Sequence, residues 1–468
     1  MKTSARLLLT LLVLSVPPAL TCGEAFPAAS TPPLGWNSYD AYGTTVDEAQ
    51  FRANALWMSA HLKRFGWHYV IIDMGWYVQN PTPPGNAPDA IVTLDSHGRY
   101  IPAPNRFPSA ANGAGFAPLA AYVHSLGLGF GIHILSGIPR EAVKHNQPIA
   151  DSQFRAGDAV DPGAACPWNP DNMGLDAGKP GAQAYYDSIA ALYASWGVDF
   201  VKADCLASKP YSGGDIGLLS GALRSSGRNM LLSVSPGPAP FEALHELRRY
   251  TNLWRISNDV WDIWDSSGDY PKGVADIFAP AAKWAPEART GAWPDADMLA
   301  IGYLGPAPGW GAARNSRLSA DEQRTLMTLW CISRSPLMIG ANLTRMDDTT
   351  RRLLTNPEVL GVDQHSSDSR AVYADGNLVA WLATPSRDSG KYLAVFNLGG
   401  TSRTTEIRWP QLGITEPVVS MRDLWLRKEL GPHPRLTVRL APHASGLYRV
   451  SSGSAQPAAV PQRALGDD

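Results

Sequence analysis

The stretch Trp254-Arg255-Ile256-Ser257-Asn258-Asp259, read with Val201-Lys202-Ala203-Asp204, decides the reading of this chain. Each is a short apolar run of strand character that ends in charge. A carboxylate with a basic neighbour at the C-terminal end of a buried strand is costly for stability, because a buried charge must be paired. At the C-terminal mouth of a barrel of parallel strands, the same placement is where catalytic groups stand. Two such carboxylates on two strands suggest a nucleophile and an acid/base.

Around these stretches, strand-like and helix-like patterns alternate. Strands are expected at 34–38, 69–74, 129–135, 198–204, 230–235, 252–258, 297–301 and 337–341, with amphipathic stretches such as 46–65, 182–195 and 320–334 between them. Short buried strands alternating with helices imply parallel strands joined by right-handed crossovers. Eight such units predict an α/β fold, a (β/α)8 TIM barrel. A doubly wound sheet competes, but no GxGxxG opens a helix after the first strand. Gly127-Leu128-Gly129-Phe130-Gly131 instead leads into a strand. After Asn356-Pro357-Glu358 the segments become short and β-like, punctuated by Asp375-Gly376 and Gly399-Gly400, which predicts a C-terminal antiparallel β-sandwich. The expected division is a signal peptide over 1–26, the barrel over 27–365, the sandwich over 366–450 and a disordered Ser/Ala/Pro/Gln-rich tail over 451–468.

The bulk numbers exclude several function classes. Lys+Arg is 40 and Asp+Glu is 42 in 468 residues. That balance argues against a nucleic-acid partner or a polybasic membrane contact. Lys2 and Arg6, the apolar run from Leu7 and the break at Pro17-Pro18 read as a secretory leader, so the protein is expected to be secreted or periplasmic. No later run approaches the ~20 apolar residues of a membrane helix. The 10 His residues include no HExxH, there is no GxSxG and no CxxC, and so neither a metal nor a cofactor is expected. The 16 Trp residues suit a protein that stacks on sugar rings, although most of them would fill a large core.

Polar residues cluster at the expected strand ends: Trp36, Asn37 and Asp40; Asp73 and Trp76; His133; Lys202 and Asp204; Ser233 and Ser235; Trp254, Arg255 and Asp259; and the run Trp293-Pro294-Asp295-Ala296-Asp297. Any single acid there is better explained as a helix N-cap. Acids, bases and Trp together at one mouth suit a carbohydrate, because hydroxyls need polar partners and the ring needs an apolar face.

These residues carry a resemblance. Residues 31–43 (TPPLGWNSYDAYG), 69–77 (YVIIDMGWY), 197–205 (GVDFVKADC), 254–264 (WRISNDVWDIW), 293–302 (WPDADMLAIG) and 329–343 (LWCISRSPLMIGANL) resemble glycoside hydrolase family 27, the α-galactosidase and α-N-acetylgalactosaminidase family. The resemblance implies retaining double displacement with Asp204 as nucleophile and Asp259 as acid/base. It implies that Lys202 and Arg255 hold sugar hydroxyls, that Asp73 is one of a carboxylate pair gripping the 4- and 6-hydroxyls, that Trp36 is an aromatic wall, that Ser235 faces the sugar's 2-substituent, and that His133 is among the substrate-binding residues. Retention in general needs the two carboxyls about 5–5.5 Å apart.

Four positions depart from the family pattern. Met74 stands where a second Asp is usual, His133 where a Tyr is common, Ser235 where α-galactosidases often carry an acid, and Cys205 one residue early. Cys166 and Cys205 are either bridged at the pocket rim or two separate thiols. Met74 either lines the sugar's C6 end or packs away from the mouth. The resulting expectation is an exo-glycosidase releasing terminal α-D-galactose from a carbohydrate substrate. The alternatives are a β-L-arabinopyranosidase, an α-N-acetylgalactosaminidase or an inactive carbohydrate-binding homologue. The sequence gives no oligomeric state.

Overall fold

The computed structural model describes residues 29–83, 85, 89–208, 210–387 and 389–452. The expected leader, and the expected tail from residue 453 onward, lie outside the described residues. Eight parallel strands form the barrel: β1 (Leu34–Asn37), β2 (Tyr69–Ile72), β3 (Gly129–Leu135), β4 (Phe200–Asp204), β5 (Leu231–Val234), β6 (Leu253–Arg255), β7 (Trp293–Asp295) and β8 (Leu337–Ile339). Their order is β8-β1-β2-β3-β4-β5-β6-β7. Between them run helices that include α1 (Glu48–His61), α2 (Ala117–Ser125), α3 (Pro180–Trp196), α4 (Gly213–Ser225), α5 (Leu244–Tyr250), α6 (Phe278–Trp284) and α7 (Ala320–Ser333).

The seventh strand is not where it was expected. It is Trp293–Asp295 rather than 297–301, because Asp297 takes φ +91° and breaks the extended run. The later part still closes the ring. The Leu299 amide donates to the Met338 carbonyl at 2.7 Å, and the Gly340 amide donates to the Leu299 carbonyl at 3.2 Å.

Local signals explain the helices. Asp47 caps α1 and Ser319 caps α7, each in a reciprocal box with Gln50 or Glu322. Helix α3 starts on Pro180 and stops at Gly197 in the left-handed region. Inside the barrel, Ile71, Phe200, Leu231, Leu253 and Met338 form an apolar plug. Gly35 and Gly131 make room for it: a Cβ on Gly35 would sit 2.8 Å from the Met338 sulfur, and one on Gly131 would sit 2.7 Å from Ile71. Strand alternation then places Asp73, Lys202 and Arg255 one inward step above Ile71, Phe200 and Leu253. The mouth is therefore polar over an apolar floor.

The C-terminal domain follows, from β9 (Ser366–Asp375) through β10 (Leu378–Pro385), β11 (Lys391–Asn397), β12 (Arg403–Ile407), β13 (Val419–Asp423), β14 (Lys428–His433) and β15 (Leu436–Leu440) to β16 (Ser445–Ser452). Its large sheet runs β9-β10-β11-β16-β13-β14, and β12 pairs with β15. Ser451 and Ser452, expected in the tail, continue β16 because they pair with Ser420 and Val419. Strands β10 and β11 are buried on both faces. Ala380, Leu382, Leu393 and Val395 belong to the sandwich core, while Trp381, Ala383, Ala394 and Phe396 belong to the core shared with the barrel. Phe396 meets Phe278 of α6 edge-on at 4.9 Å. Arg422 grips Glu358 through two bonds of 2.8 Å. Truncation of Phe396 to Ala should cost about 3–5 kcal/mol, because it opens a cavity in the shared core. Denaturant titration should show a lower midpoint, and a shift below the equivalent of about 1 kcal/mol would contradict a shared core.

Candidate active site

The strand ends surround a cavity of about 500 Å³. Asp73, Lys202, Asp204, Arg255 and Asp259 all line it, so five of the residues singled out by sequence meet in one place. Strand β4 contributes two of them by alternation, since Lys202 and Asp204 share its inner face while Val201 and Ala203 join the outer core.

Asp73 is buried and fully engaged. Its Oδ2 accepts from Lys202 Nζ at 2.8 Å and from Asn37 Nδ2 at 2.6 Å, and its Oδ1 accepts from the Met74 amide at 2.8 Å. Burial pushes its carboxyl up, but Lys202, His133 and these bonds hold it well below the usual carboxylate range. Lys202 in turn stays cationic: burial disfavours its charge, and Asp73 and Asp204 more than restore it.

Asp204 lines the cavity over a buried histidine. Oδ2 lies 2.8 Å from His133 Nε2, and Oδ1 is buried with no partner among the described residues. Burial again pushes the carboxyl up, and the His133 contact and Lys202 outweigh it, so Asp204 titrates below the usual range. An ionised carboxylate lining a cavity is suited to nucleophilic attack.

Asp259 stands at the more open side, with a side chain 37% exposed. Arg255 Nη2 reaches its Oδ1 at 3.1 Å and Asp297 Oδ2 at 2.7 Å. Asp297 also accepts from the Val260 amide at 2.6 Å, so it pins the loop that carries Asp259. Burial outweighs the Arg255 cation there and pushes the Asp297 carboxyl up to about 7. Burial likewise raises Asp40, whose neighbour Asp297 adds to the effect.

Three expected roles change in detail. Trp36 is not an aromatic wall: its ring is fully buried against Phe51 of α1, and its Nε1 donates to the Ala341 carbonyl at 2.7 Å. An outward-facing position on β1 puts it between strand and helix. Tyr39, three residues on, lines the cavity instead, with Trp168, Trp261 and Tyr270. His133 is completely buried beneath Asp204 rather than exposed to the cavity, so it acts on the carboxylate. Ser235 lines a small void below the main cavity, whose wall at this point is Pro236 and Gly237. Met74, by contrast, does face the cavity, and Asn169 Nδ2 lies 3.5 Å from its sulfur. Cys166 and Cys205 are joined in a disulfide, and Cys331 is a buried free thiol.

Tyr39, Asp40, Trp168, Asp269, Tyr270 and Asp297 are cavity residues to which the sequence reading gave no role. Asp297 and Asp40 carried a signal, as acids near strand ends. Trp168 and Tyr270 lie in long loops without periodicity. Among the described residues, no cluster of three or more His, Cys, Asp or Glu side chains is placed to hold a metal.

This arrangement matches known proteins along most of the chain. Residues 171–365 match the family described as alpha galactosidase A, and 375–450 match the alpha galactosidase C-terminal beta sandwich domain. The structure of a family 27 β-L-arabinopyranosidase from Geobacillus stearothermophilus is 42% identical, covers 92% of this chain and 98% of its own, and superposes with a TM-score of 0.87. The chain belongs to glycoside hydrolase family 27. Another similar structure in the family is a Bacillus halodurans C-125 protein provisionally named an α-N-acetylgalactosaminidase (41% identical, 92% of this chain, 100% of that one, TM-score 0.80). An Oryza sativa subsp. japonica α-galactosidase is 27% identical over 89% of this chain and 84% of its own. As a family 27 glycosidase, the chain acts on carbohydrate.

The raised Asp297 carboxyl has a consequence for stability. The unfolded chain loses this proton near pH 4 and the folded chain near pH 7, so between those values the folded state binds more protons, and stability falls as pH rises. Asp297→Asn removes that loss. Relative to wild type, the melting temperature of Asp297→Asn should therefore rise as pH goes from about 4 to about 7. A difference between the two proteins that is constant across this range would contradict the assignment.

Proposed function

We propose that this family 27 member is a retaining, exo-acting β-L-arabinopyranosidase. The observation that carries the reading is Met74, whose side chain faces the cavity beside the engaged carboxylate of Asp73. In the family pattern a second carboxylate at this place takes a sugar hydroxyl. A thioether offers an apolar surface and almost no hydrogen-bonding capacity. β-L-Arabinopyranose has the galactose ring without its hydroxymethyl group, so it loses nothing at Met74. The 42% identical Geobacillus enzyme, named for this activity, supports the same choice. α-Galactosides are the second reading, because Asp73 fits ring hydroxyls common to both sugars and curated relatives at 27% identity are named α-galactosidases.

In this proposal the Asp204 carboxylate attacks the anomeric carbon, and Asp259 protonates the departing oxygen. Asp259, now a carboxylate, takes a proton from water, which attacks the same carbon and releases Asp204. Lys202 and His133 keep Asp204 ionised, and Arg255 aims Asp259. An exported setting belongs to the same reading, since a disulfide persists best in an oxidising compartment.

Two measurements test this. Asp204→Ala should reduce kcat by far more than tenfold, with azide restoring turnover and giving the inverted glycosyl azide. Retention of more than about a tenth of kcat, a loss under roughly 1.4 kcal/mol, would remove Asp204 from the nucleophile role. For sugar choice, kcat/KM is compared for nitrophenyl β-L-arabinopyranoside and nitrophenyl α-D-galactoside. Wild type should prefer the former, and Met74→Asp should shift the ratio toward galactose by more than about fivefold, roughly 1 kcal/mol. A folded Met74→Asp protein with an unchanged ratio would sink the role of Met74, and a wild-type preference for galactose would restore the α-galactosidase reading.

A further inference from the structure

Among the described residues, only two Trp, Tyr or Phe side chains are classed by their surface as exposed: Trp168 at 47% and Tyr270 at 46%. Both line the same cavity. The other aromatic side chains are buried or partly buried, as expected for groups of this size. Two large aromatic faces left in water at the rim of one sugar cavity are thus a feature of the mouth, and the core does not account for them.

We infer that Trp168 and Tyr270 form an aglycone subsite that holds a second pyranose ring, the one that leaves on cleavage. The inference rests on the exo-glycosidase reading and goes beyond it to the substrate class. In an exo-acting site the terminal sugar takes the closed end, against Asp73, Lys202 and Asp204, and the next residue must occupy the rim. Trp168 lies on the loop between β3 and β4, and Tyr270 on the loop between β6 and β7. These loops start three strands apart in a ring of eight, yet both bring an aromatic ring to the same cavity. Trp and Tyr give broad, rigid contact area with few rotors to freeze, which suits the C–H face of a sugar.

The platform is also anchored. Cys166, two residues before Trp168, is bonded to Cys205, the residue after Asp204. The loop carrying Trp168 is thereby tied to the strand end carrying the nucleophile. The occupant is a sugar rather than a flat apolar group because Asn258, Asp259 and Asp269 line the same cavity. Such polar groups have hydroxyls to meet on a pyranose and none on an aryl ring.

The test compares two substrates with the same glycone. One is β-L-arabinopyranosyl fluoride, whose leaving group is a single atom and does not need the rim. The other is a disaccharide with terminal β-L-arabinopyranose on a pyranose. Trp168→Ala should lower the ratio of kcat/KM for disaccharide over fluoride by about tenfold, and Tyr270→Ala should lower it in the same direction. Trp168→Tyr should restore most of the ratio. Cys166→Ser, which frees the loop, should behave like Trp168→Ala. An unchanged ratio in Trp168→Ala and Tyr270→Ala proteins with wild-type melting temperatures overturns the subsite. A ratio that falls for a nitrophenyl glycoside but not for the disaccharide overturns the pyranose assignment and points to flat apolar aglycones. Failure of the underlying reading looks different. Wild type that prefers α-galactosyl fluoride overturns only the glycone, and the same ratio is then measured with galactosyl substrates. Wild type that cleaves neither fluoride ends the glycosidase reading and the subsite with it.

Discussion

Two cations are buried in the mouth of the barrel, and the arrangement of the site follows from neutralising them. Lys202 is met by Asp73 at 2.8 Å, and Arg255 by Asp297 at 2.7 Å and Asp259 at 3.1 Å. An unpaired charge in such a place would cost several kcal/mol. The carboxyls nearby outnumber the cations, since Asp40, Asp204 and Asp295 stand there as well. They therefore cannot all be ionised. Asp73 and Asp204, helped by Lys202, titrate low, and burial raises Asp40, Asp295 and Asp297.

That division gives the chemistry its direction. Asp73 and Asp204 are held as carboxylates, Asp73 by Lys202 and Asn37, Asp204 by His133. Burial pushes the Asp297, Asp295 and Asp40 carboxyls up, and neighbouring carboxylates raise Asp297 and Asp40 further. Double displacement at a glycosidic carbon uses one carboxylate as nucleophile and a second carboxyl that gives and takes a proton, the parts proposed for Asp204 and Asp259.

The rest of the molecule keeps these walls in place. The apolar plug of Ile71, Phe200, Leu231, Leu253 and Met338 closes the barrel from below, so the polar layer has one open side. Asp297 ties the Asp259 loop to the seventh strand through the Val260 amide, and the Trp330 indole of α7 donates to the Asp297 carbonyl at 2.8 Å. The sandwich packs on the helix layer rather than over the mouth. Trp425 Nε1 and Ser445 Oγ both reach the Thr328 hydroxyl of α7 at 3.0 Å. The C-terminal domain thus stiffens the barrel wall and leaves the mouth free for a substrate.

Much of this is written in the chain itself. The eight-unit rhythm, the shift to short β segments after residue 356 and the acids at strand ends all arise from local periodicity and are readable in order along the sequence. Lys202, Asp204 and Arg255 were legible for that reason, since strand alternation fixes which residues share the inner face, Asp73 follows directly on a strand, and Asp259 was assigned through the family resemblance. The sequence by itself did not decide what depends on the direction of a single side chain or on a loop. Trp36 and Tyr39 are three residues apart at the first strand end, and only the packing of Phe51 against the strand shows which of them enters the core. The seventh strand stops at Asp295 because Asp297 turns left-handed, which brings its carboxyl to 2.7 Å from an arginine 42 positions earlier. The direction of Met74, the bridge from Cys166 to Cys205 and the meeting of Trp168 with Tyr270 at one rim were likewise settled in three dimensions. Each joins segments far apart in the chain, and contacts of that kind leave no period in the sequence between them.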